Sequence, residues 1–215
     1  MGSNRLPGKM LINLHGYPII EWINRRLAAI KNIKVVFAIP DSKENDILSN
    51  YLLKLGSEVF RGSENDLVDR FFNVTKKFNP KKVIRVCGDN PLVCPEAIKL
   101  LIDFFNCHQC DYAYNHIPVN NNWPDGLGAE ICNSSLIEEI FYNSNIDDHR
   151  EHIFNFIWAN SDKYSIKTFD APLEVANPSI KLDIDTFEDY SNLMSKPYHI
   201  DITSSEIVSL NSKYL

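Results

Sequence analysis

The chain has 215 residues, 44% hydrophobic and 23% charged, the composition of a globular protein long enough for one substantial α/β domain. Its net charge of -6 argues against a nucleic-acid partner, which calls for a basic face, but leaves room for a small anionic ligand held by a few local cations. No apolar run reaches bilayer-spanning length and no signal-peptide core is visible, so the expectation is a cytoplasmic protein without a membrane partner. The five cysteines are odd in number and irregularly spaced, which fits a reducing compartment.

In chain order, "MGSNRLPGKM" opens as a loop carrying two cations, Arg5 and Lys9. "IIEWINRRLAAI" places Ile19, Ile23, Leu27 and Ile30 on one stripe, predicting a helix with Arg25 and Arg26 outward. "KVVFAIP" reads as a buried parallel strand stopped by Pro40. Asp41 and Ser42 then offer caps for a helix with Leu48, Leu52 and Leu55 on one face. "SEVFRG" is a short strand, and Ser63 with Asp66 resembles a capping box for a helix through Lys77. "KKVIRVCGDNP" is a strand running into a turn, and Glu96 to Asn106 is a helix.

This alternation predicts a mostly parallel sheet with helices on both faces. After Asp111 it breaks. "DYAYNHI" and "LGAEICN" look like strands with no crossover helix between them, flanking the turn-rich "NNNWPDG". Helices are expected near Leu136–Tyr142 and Glu151–Ala159, strands around "YSIKTF" and "IKLDID", and helices at "TFEDYSNLM" and "TSSEIVSLNSK". No linker divides the chain, so residues 1–215 are expected to form a single domain. Cys107 and Cys110 form the only CxxC; without a matching second pair they read as two small thiols at a helix end.

Ligands of open α/β sheets sit beyond the carboxyl ends of the strands. Asp89 falls there, just past Val83, Ile84 and Val86. In "LDIDTFED", Asp183 and Asp185 alternate with Leu182 and Ile184, which puts both carboxylates on the face opposite the apolar side chains. If Asp89 and Asp185 converge, they make an oxygen-rich site suited to Mg²⁺ with a polyphosphate, and Arg5 and Lys9 would hold the same phosphates.

These residues resemble the cytidylyltransferases that make CMP-activated sugars, including the acylneuraminate and 3-deoxy-manno-octulosonate enzymes. The nearest branch is the one of spore-coat polysaccharide biosynthesis. The likeness runs in order through "MGSNRLPGK", "LHGYPIIEWINRRL", "VFRGSENDLVDRF", "VIRVCGDNPLV", "WPDGLGAEI", "HREHI" and "LDIDTFEDY". It implies a GT-A-like nucleotidyltransferase fold with a small β-containing lobe on the sugar side. It also implies CTP as donor, a sugar acid or sugar phosphate as acceptor, Mg²⁺ as cofactor, and a homodimer.

Carried over by residue, Gly2, Ser3, Arg5 and Lys9 would lie at the nucleotide, with Arg61, Ser63, Asp69 and Arg85 near it. Lys9, Asp89 and Asp185 would be catalytic, and Asp89 and Asp185 would hold the metal. Asp125, Glu130, Arg150 and His152 would line the sugar side. The branch usually carries an acidic residue where this chain has Gly128. In the family an apolar strand precedes the loop, so the resemblance implies a chain that begins inside the motif. The alternative expectation is therefore a truncated, catalytically inactive relative that binds nucleotide or a partner.

Overall fold

The computed structural model describes residues 5–212. Strands β1 (Asn13–Leu14) and β2 (Tyr17–Pro18) form a small antiparallel hairpin. Its turn is made by His15 and Gly16, both at positive φ (47° and 96°), a backbone that glycine accepts without strain. Helix α1 (Ile19–Ala28) follows, then β3 (Val36–Pro40), α2 (Asp46–Lys54) and β4 (Glu58–Gly62). β3 and β4 pair in parallel, joined by α2 as the sequence rhythm requires.

Helix α3 (Leu67–Phe78) leads to β5 (Lys82–Arg85), and α4 (Pro95–Cys107) to β6 (Tyr112–Tyr114). Strand β7 (Glu130–Asn133) is followed by α5 (Ser134–Asn143), α6 (Asp147–Glu151), α7 (Asn155–Ala159) and β8 (Ile166–Lys167). Helices α8 (Phe187–Met194) and α9 (Ser204–Ser212) complete the order.

This is a nucleotidyltransferase-like α/β fold with helices packed on mixed sheets. The largest sheet has the order β5-β7-β6-β8, with β7 antiparallel to both neighbours and β8 parallel to β6. The sheets are mixed because β7 returns from β6 without a crossover helix and inserts beside β5. Among the described residues β3 pairs only with β4, and β5 only with β7, so one edge of each has no strand partner.

The β5-β7-β6-β8 sheet is covered on both faces. Ala113 and Ile131 point into a core built with α1, α2 and α4 (Trp22, Leu52, Leu101) and with Leu182 and Ile184. Their neighbours Tyr112, Tyr114 and Cys132 point the other way, into a second core of Val68, Ile137, Ile140, Phe154 and Ile157. Alternation along two adjacent strands thus separates two apolar clusters.

Three local expectations are corrected. The N-cap of α3 is Asp66, whose side chain accepts from Asp69 N at 2.8 Å, while Ser63 Oγ accepts from Asp66 N at 3.1 Å one turn earlier. The single helix expected at Glu151–Ala159 is two short ones, interrupted at His152, whose backbone is extended. "IKLDID" is held not by a full ladder but by one parallel bridge between Asp125 and Lys181.

The fourth correction concerns charge. Arg26 is 3% exposed rather than outward, because three residues after Ile23 and four after Trp22 it lies on the buried stripe of α1. Its Nε donates to Val93 O at 2.7 Å, and its Nη1 to Ile200 O at 2.8 Å and Ile202 O at 3.0 Å. One guanidinium therefore ties α1 to the segment before α4 and to the chain entering α9. Burial pulls its pKa down, and three carbonyl dipoles keep the cation tolerable there. Arg26→Ala should lower stability by about 3 kcal/mol, since it strands three carbonyls, and Arg26→Lys should recover only part of that. Urea unfolding of the three proteins measures both differences.

Candidate active site

The site begins with a short turn. Gly8, at φ 71°, starts a single 3₁₀ turn over Lys9–Leu11 that presents the Lys9 side chain inward. Its ammonium donates to Ile184 O at 2.8 Å and stands 3.4 Å from Asp185 Oδ1 and 3.6 Å from Asp89 Oδ2. Arg5 Nη2 adds a second cation, 2.9 Å from Asp185 Oδ2. The structure thus brings together Arg5, Lys9, Asp89 and Asp185, the four charges that the sequence placed at a polyphosphate.

Two features fix the carboxylates. Asp89 lies in the Gly-Asp-Asn-Pro turn beyond β5, and its carbonyl accepts from Ile184 N at 2.8 Å, which clips that turn to the Asp183–Asp185 segment. Leu182 and Ile184, each fully buried, anchor the segment from below and leave Asp183 and Asp185 on the outer face. Asp185 is also held by its backbone: Asp185 N donates to Asp189 Oδ2 at 3.0 Å, at the start of α8. There Thr186 and Asp189 form a reciprocal capping box. Burial opposes ionisation of Asp189, but hydrogen bonds from Thr186 and Lys181 hold its pKa down at about 2. In the acidic "DTFED", Asp189 caps the helix and Asp185 is left to pair with Arg5 and Lys9.

Asp125 stands beside this pair. Its N donates to Ile180 O at 2.9 Å and its carbonyl accepts from Leu182 N at 3.0 Å, which aligns it alongside the aspartate segment. Burial, and then the neighbouring charge of Asp183, push the Asp125 carboxyl up to about 6. Asp183 pairs with Lys181 at 3.0 Å, while its Oδ1 is buried with no hydrogen-bond partner among the described residues. Lys181, which also reaches Asp189 at 3.1 Å, was missed from the sequence. The alternation K-L-D-I-D carried the signal, because it puts Lys181 on the same face as Asp183 and Asp185.

Arg85 and Glu130 face each other across the β5–β7 ladder as a buried ion pair, and Tyr112 Oη donates to Glu130 Oε1 at 2.5 Å. Glu130 is only 3% exposed, so it braces the site from behind rather than lining a pocket. Gly128 has a packing reason: a Cβ there would stand 2.2 Å from both the backbone oxygen and the Oδ1 of Asn115, so no side chain fits.

Other expected residues lie apart from the carboxylates. Arg61 pairs with Asp41 and Asp46 and donates to Ser42 O, locking the loop after β3 to β4. Ser63 and Asp69 belong to the turn and first coil of α3. Arg150 donates to Asp66 and to Phe141 O, fastening α6 to the start of α3. His152 is exposed at the end of α6. Gly2 and Ser3 lie outside the described residues. All five cysteines are free, and Cys107 is exposed at the end of α4 with Cys110 half-buried beyond it.

Chemically, the centre is a pair of partly exposed carboxylates neutralised by two cations. Among the described residues no group of three or more His, Cys, Asp and Glu side chains is arranged to hold a metal ion. Two hard oxygen donors still suit Mg²⁺, which takes one or two protein carboxylates and completes its shell with water and substrate phosphates.

A profile described as cytidylyltransferase matches residues 1–212. The chain belongs to the cytidylyltransferase family, enzymes that transfer nucleotidyl groups. It is 31% identical to the spore coat polysaccharide biosynthesis protein SpsF of Bacillus subtilis (strain 168), over 98% of this chain and 90% of that protein. Its fold superposes on a cytidylyltransferase from Leptospira borgpetersenii with a TM-score of 0.87 at 29% identity, covering 100% of this chain and 91% of that one. The CMP:2-keto-3-deoxy-manno-octonic acid synthetase solved in complex with CTP shares the fold at a TM-score of 0.67 and 16% identity, over 90% of this chain and 93% of that one. No helix among the described residues of this cytidylyltransferase is long and apolar enough to cross a membrane.

The Arg85–Glu130 pair gives a pH prediction. Burial alone would raise the Glu130 carboxyl, but Arg85, then His116 and Tyr112, more than offset it and hold its pKa below the ordinary 4.5. A carboxylate depressed in the folded state contributes stability above its unfolded pKa and loses it as pH falls through the folded value. Glu130→Ala should therefore cost roughly 3–5 kcal/mol at pH 7, because it leaves the Arg85 charge buried and alone. Urea unfolding from pH 7 down to pH 3 should show the gap between variant and parent closing only below the ordinary Glu range.

Proposed function

We propose that this protein transfers CMP from CTP to a sugar acid or sugar phosphate, with release of pyrophosphate, for surface polysaccharide or glycan synthesis. The observation that carries the proposal is the meeting of Lys9 with Asp89 and Asp185, three residues from three distant parts of the chain, around one partly exposed point. The site holds charges of both signs, which is what nucleotidyl transfer to an oxygen acceptor requires. SpsF, similar over nearly the whole chain, points to the same polysaccharide context.

In this mechanism an acceptor hydroxyl oxygen attacks the α-phosphorus of CTP. The bond from that phosphorus to the bridging oxygen breaks, pyrophosphate leaves, and the hydroxyl proton is released. Asp89 and Asp185 would hold Mg²⁺, which when bound neutralises phosphate charge and so reduces the repulsion met by the incoming oxygen. Lys9 and Arg5 act on the triphosphate. Each now spends its charge on a carboxylate, and a bound nucleotide offers them phosphate oxygens instead. Lys9 brings a point charge on a flexible stem that can follow the leaving pyrophosphate, and Arg5 a planar fork suited to two phosphate oxygens. Asp125, whose carboxyl burial and then Asp183 push up to about 6, borders the acceptor side and can donate a hydrogen bond to a sugar oxygen when protonated.

Asp89→Asn and Asp185→Asn should each abolish pyrophosphate release from CTP offered with a panel of acidic sugars, while leaving the unfolding transition cooperative. Near-normal Mg²⁺-dependent turnover in either variant would remove the metal assignment. Lys9→Ala should weaken CTP binding roughly 10-fold or more, and CMP binding much less. Calorimetry with both nucleotides checks this, and equal losses would exclude a contact with the outer phosphates.

A further inference from the structure

Among the described residues, the buried guanidinium of Arg70 lacks the hydrogen-bond partner that its burial demands. Arg70, in the first turn of α3, is 8% exposed. Its Nε is buried with no hydrogen-bond partner, and among the described residues its guanidinium forms no hydrogen bond or ion pair. Burial pulls its pKa down, and the acids whose charge reaches it are Glu64 and Asp66. Asp66 is already committed, since its Oδ1 caps α3 and its Oδ2 accepts from Arg150. A desolvated guanidinium whose nearby acids make no hydrogen bond to it is costly, and a bound ligand would supply the missing acceptor.

The direction of the side chain supplies one. β4 ends at Gly62 and α3 begins at Leu67; α3 ends at Phe78 and β5 begins at Lys82. With connections this short, α3 runs back along β4, and β5 comes forward again. The start of α3 and the Asp89 turn beyond β5 therefore stand at the same end of the structure, the carboxyl end of the strands. Side chains on a helix lean toward its N-terminus, so the head of Arg70 leans to that end too. Gly62, the last residue of β4, makes room for it: a Cβ there would stand 3.1 Å from Arg70 Cγ and 2.9 Å from the Phe60 ring. The stem lies over the strand end, and the fork leans toward the crevice where ligands of such folds bind.

We propose that Arg70 is a nucleotide-binding residue whose guanidinium donates to an oxygen of bound CTP, in the crevice it shares with Lys9, Asp89 and Asp185. The proposal rests on the cytidylyltransferase reading above and adds to it a residue on the opposite wall. It also accounts for the other polar groups of this stretch. Arg61, Ser63 and Asp69 are taken up by loop and cap contacts, whereas among the described residues the Arg70 guanidinium makes no hydrogen bond or ion pair. An Arg fork suits either a phosphate or the carbonyl of a pyrimidine, and nucleotides of different phosphate content tell these apart.

The test is calorimetry of the full chain and of Arg70→Met and Arg70→Lys with CTP and with CMP, beside urea unfolding of each. Arg70→Met should weaken CTP roughly 10- to 100-fold without loss of stability, because it removes an unpaired buried charge and keeps the apolar stem. Arg70→Lys, which keeps a charge and guards against a variant that fails to fold, should show a smaller loss. A loss shared by CMP places the contact on the base, ribose or α-phosphate; a loss confined to CTP places it on the outer phosphates. Unchanged affinity for both nucleotides in folded Arg70→Met or Arg70→Lys, or a drop in stability with binding intact, would overturn the proposal. A parent protein that binds no CTP would overturn the cytidylyltransferase reading and this proposal together, whereas a parent that binds CTP as tightly as its Arg70 variants leaves that reading standing and removes only this one.

Discussion

Like charges brought to one point repel, and Asp89 and Asp185 are brought to one point by the backbone itself. The hydrogen bond from Ile184 N to Asp89 O joins the two segments that carry them and holds their backbones side by side. Lys9 resolves the conflict by standing between them, with a further hydrogen bond to Ile184 O. The same geometry that costs the protein in electrostatic energy gathers two hard oxygen donors and a cation at one partly exposed point. A cluster built this way is closest to neutral when its own cations, Lys9 and Arg5, fill it.

The rest of the fold keeps those segments in place. Leu182 and Ile184 sink into the core shared by α1, α2 and α4, and the capping box at Thr186 starts α8 immediately after Asp185. Arg26 fastens the chain leading into α9 to α1 and to the segment before α4. The Arg85–Glu130 pair does similar work behind the Asp89 turn, where β5 meets β7. Buried charges thus appear where separate parts of the chain meet, each satisfied by a partner too distant in sequence to be inferred locally. Arg70 differs: among the described residues its buried guanidinium has no such partner.

Gly128 is fixed by packing. Asn115 Oδ1 accepts from Ala129 N at 3.0 Å and its amide donates to Ala97 O at 2.9 Å, filling the space where a side chain at 128 would stand. The buried amide there is fully engaged in structure. Asp125 and Asp183 come close to each other through the bridge between Asp125 and Lys181.

What the sequence determined by itself was local and periodic. Apolar spacing gave α1, α2, α4 and α5 close to their observed bounds, β-branched runs gave β3 and β4, and alternation in "KLDID" set Asp183 and Asp185 opposite Leu182 and Ile184. Ordered motifs gave the family and the four charges of the centre. Tertiary structure alone decided the rest, because it depended on pairing between distant segments. Nothing local to "EICN" says that it will enter antiparallel between β5 and β6, nor to Arg26 that three remote carbonyls wait for it. Helical spacing did place Arg26 on the buried stripe, but residue type argued for the surface, and only the packed chain shows which wins. The same holds for Glu130, Arg61 and Arg150, whose motifs suggested ligand contacts and whose charges are instead satisfied within the protein. A charged side chain reads identically in sequence whether it serves a substrate or a neighbouring loop, and the difference lies in whether the fold supplies its partner.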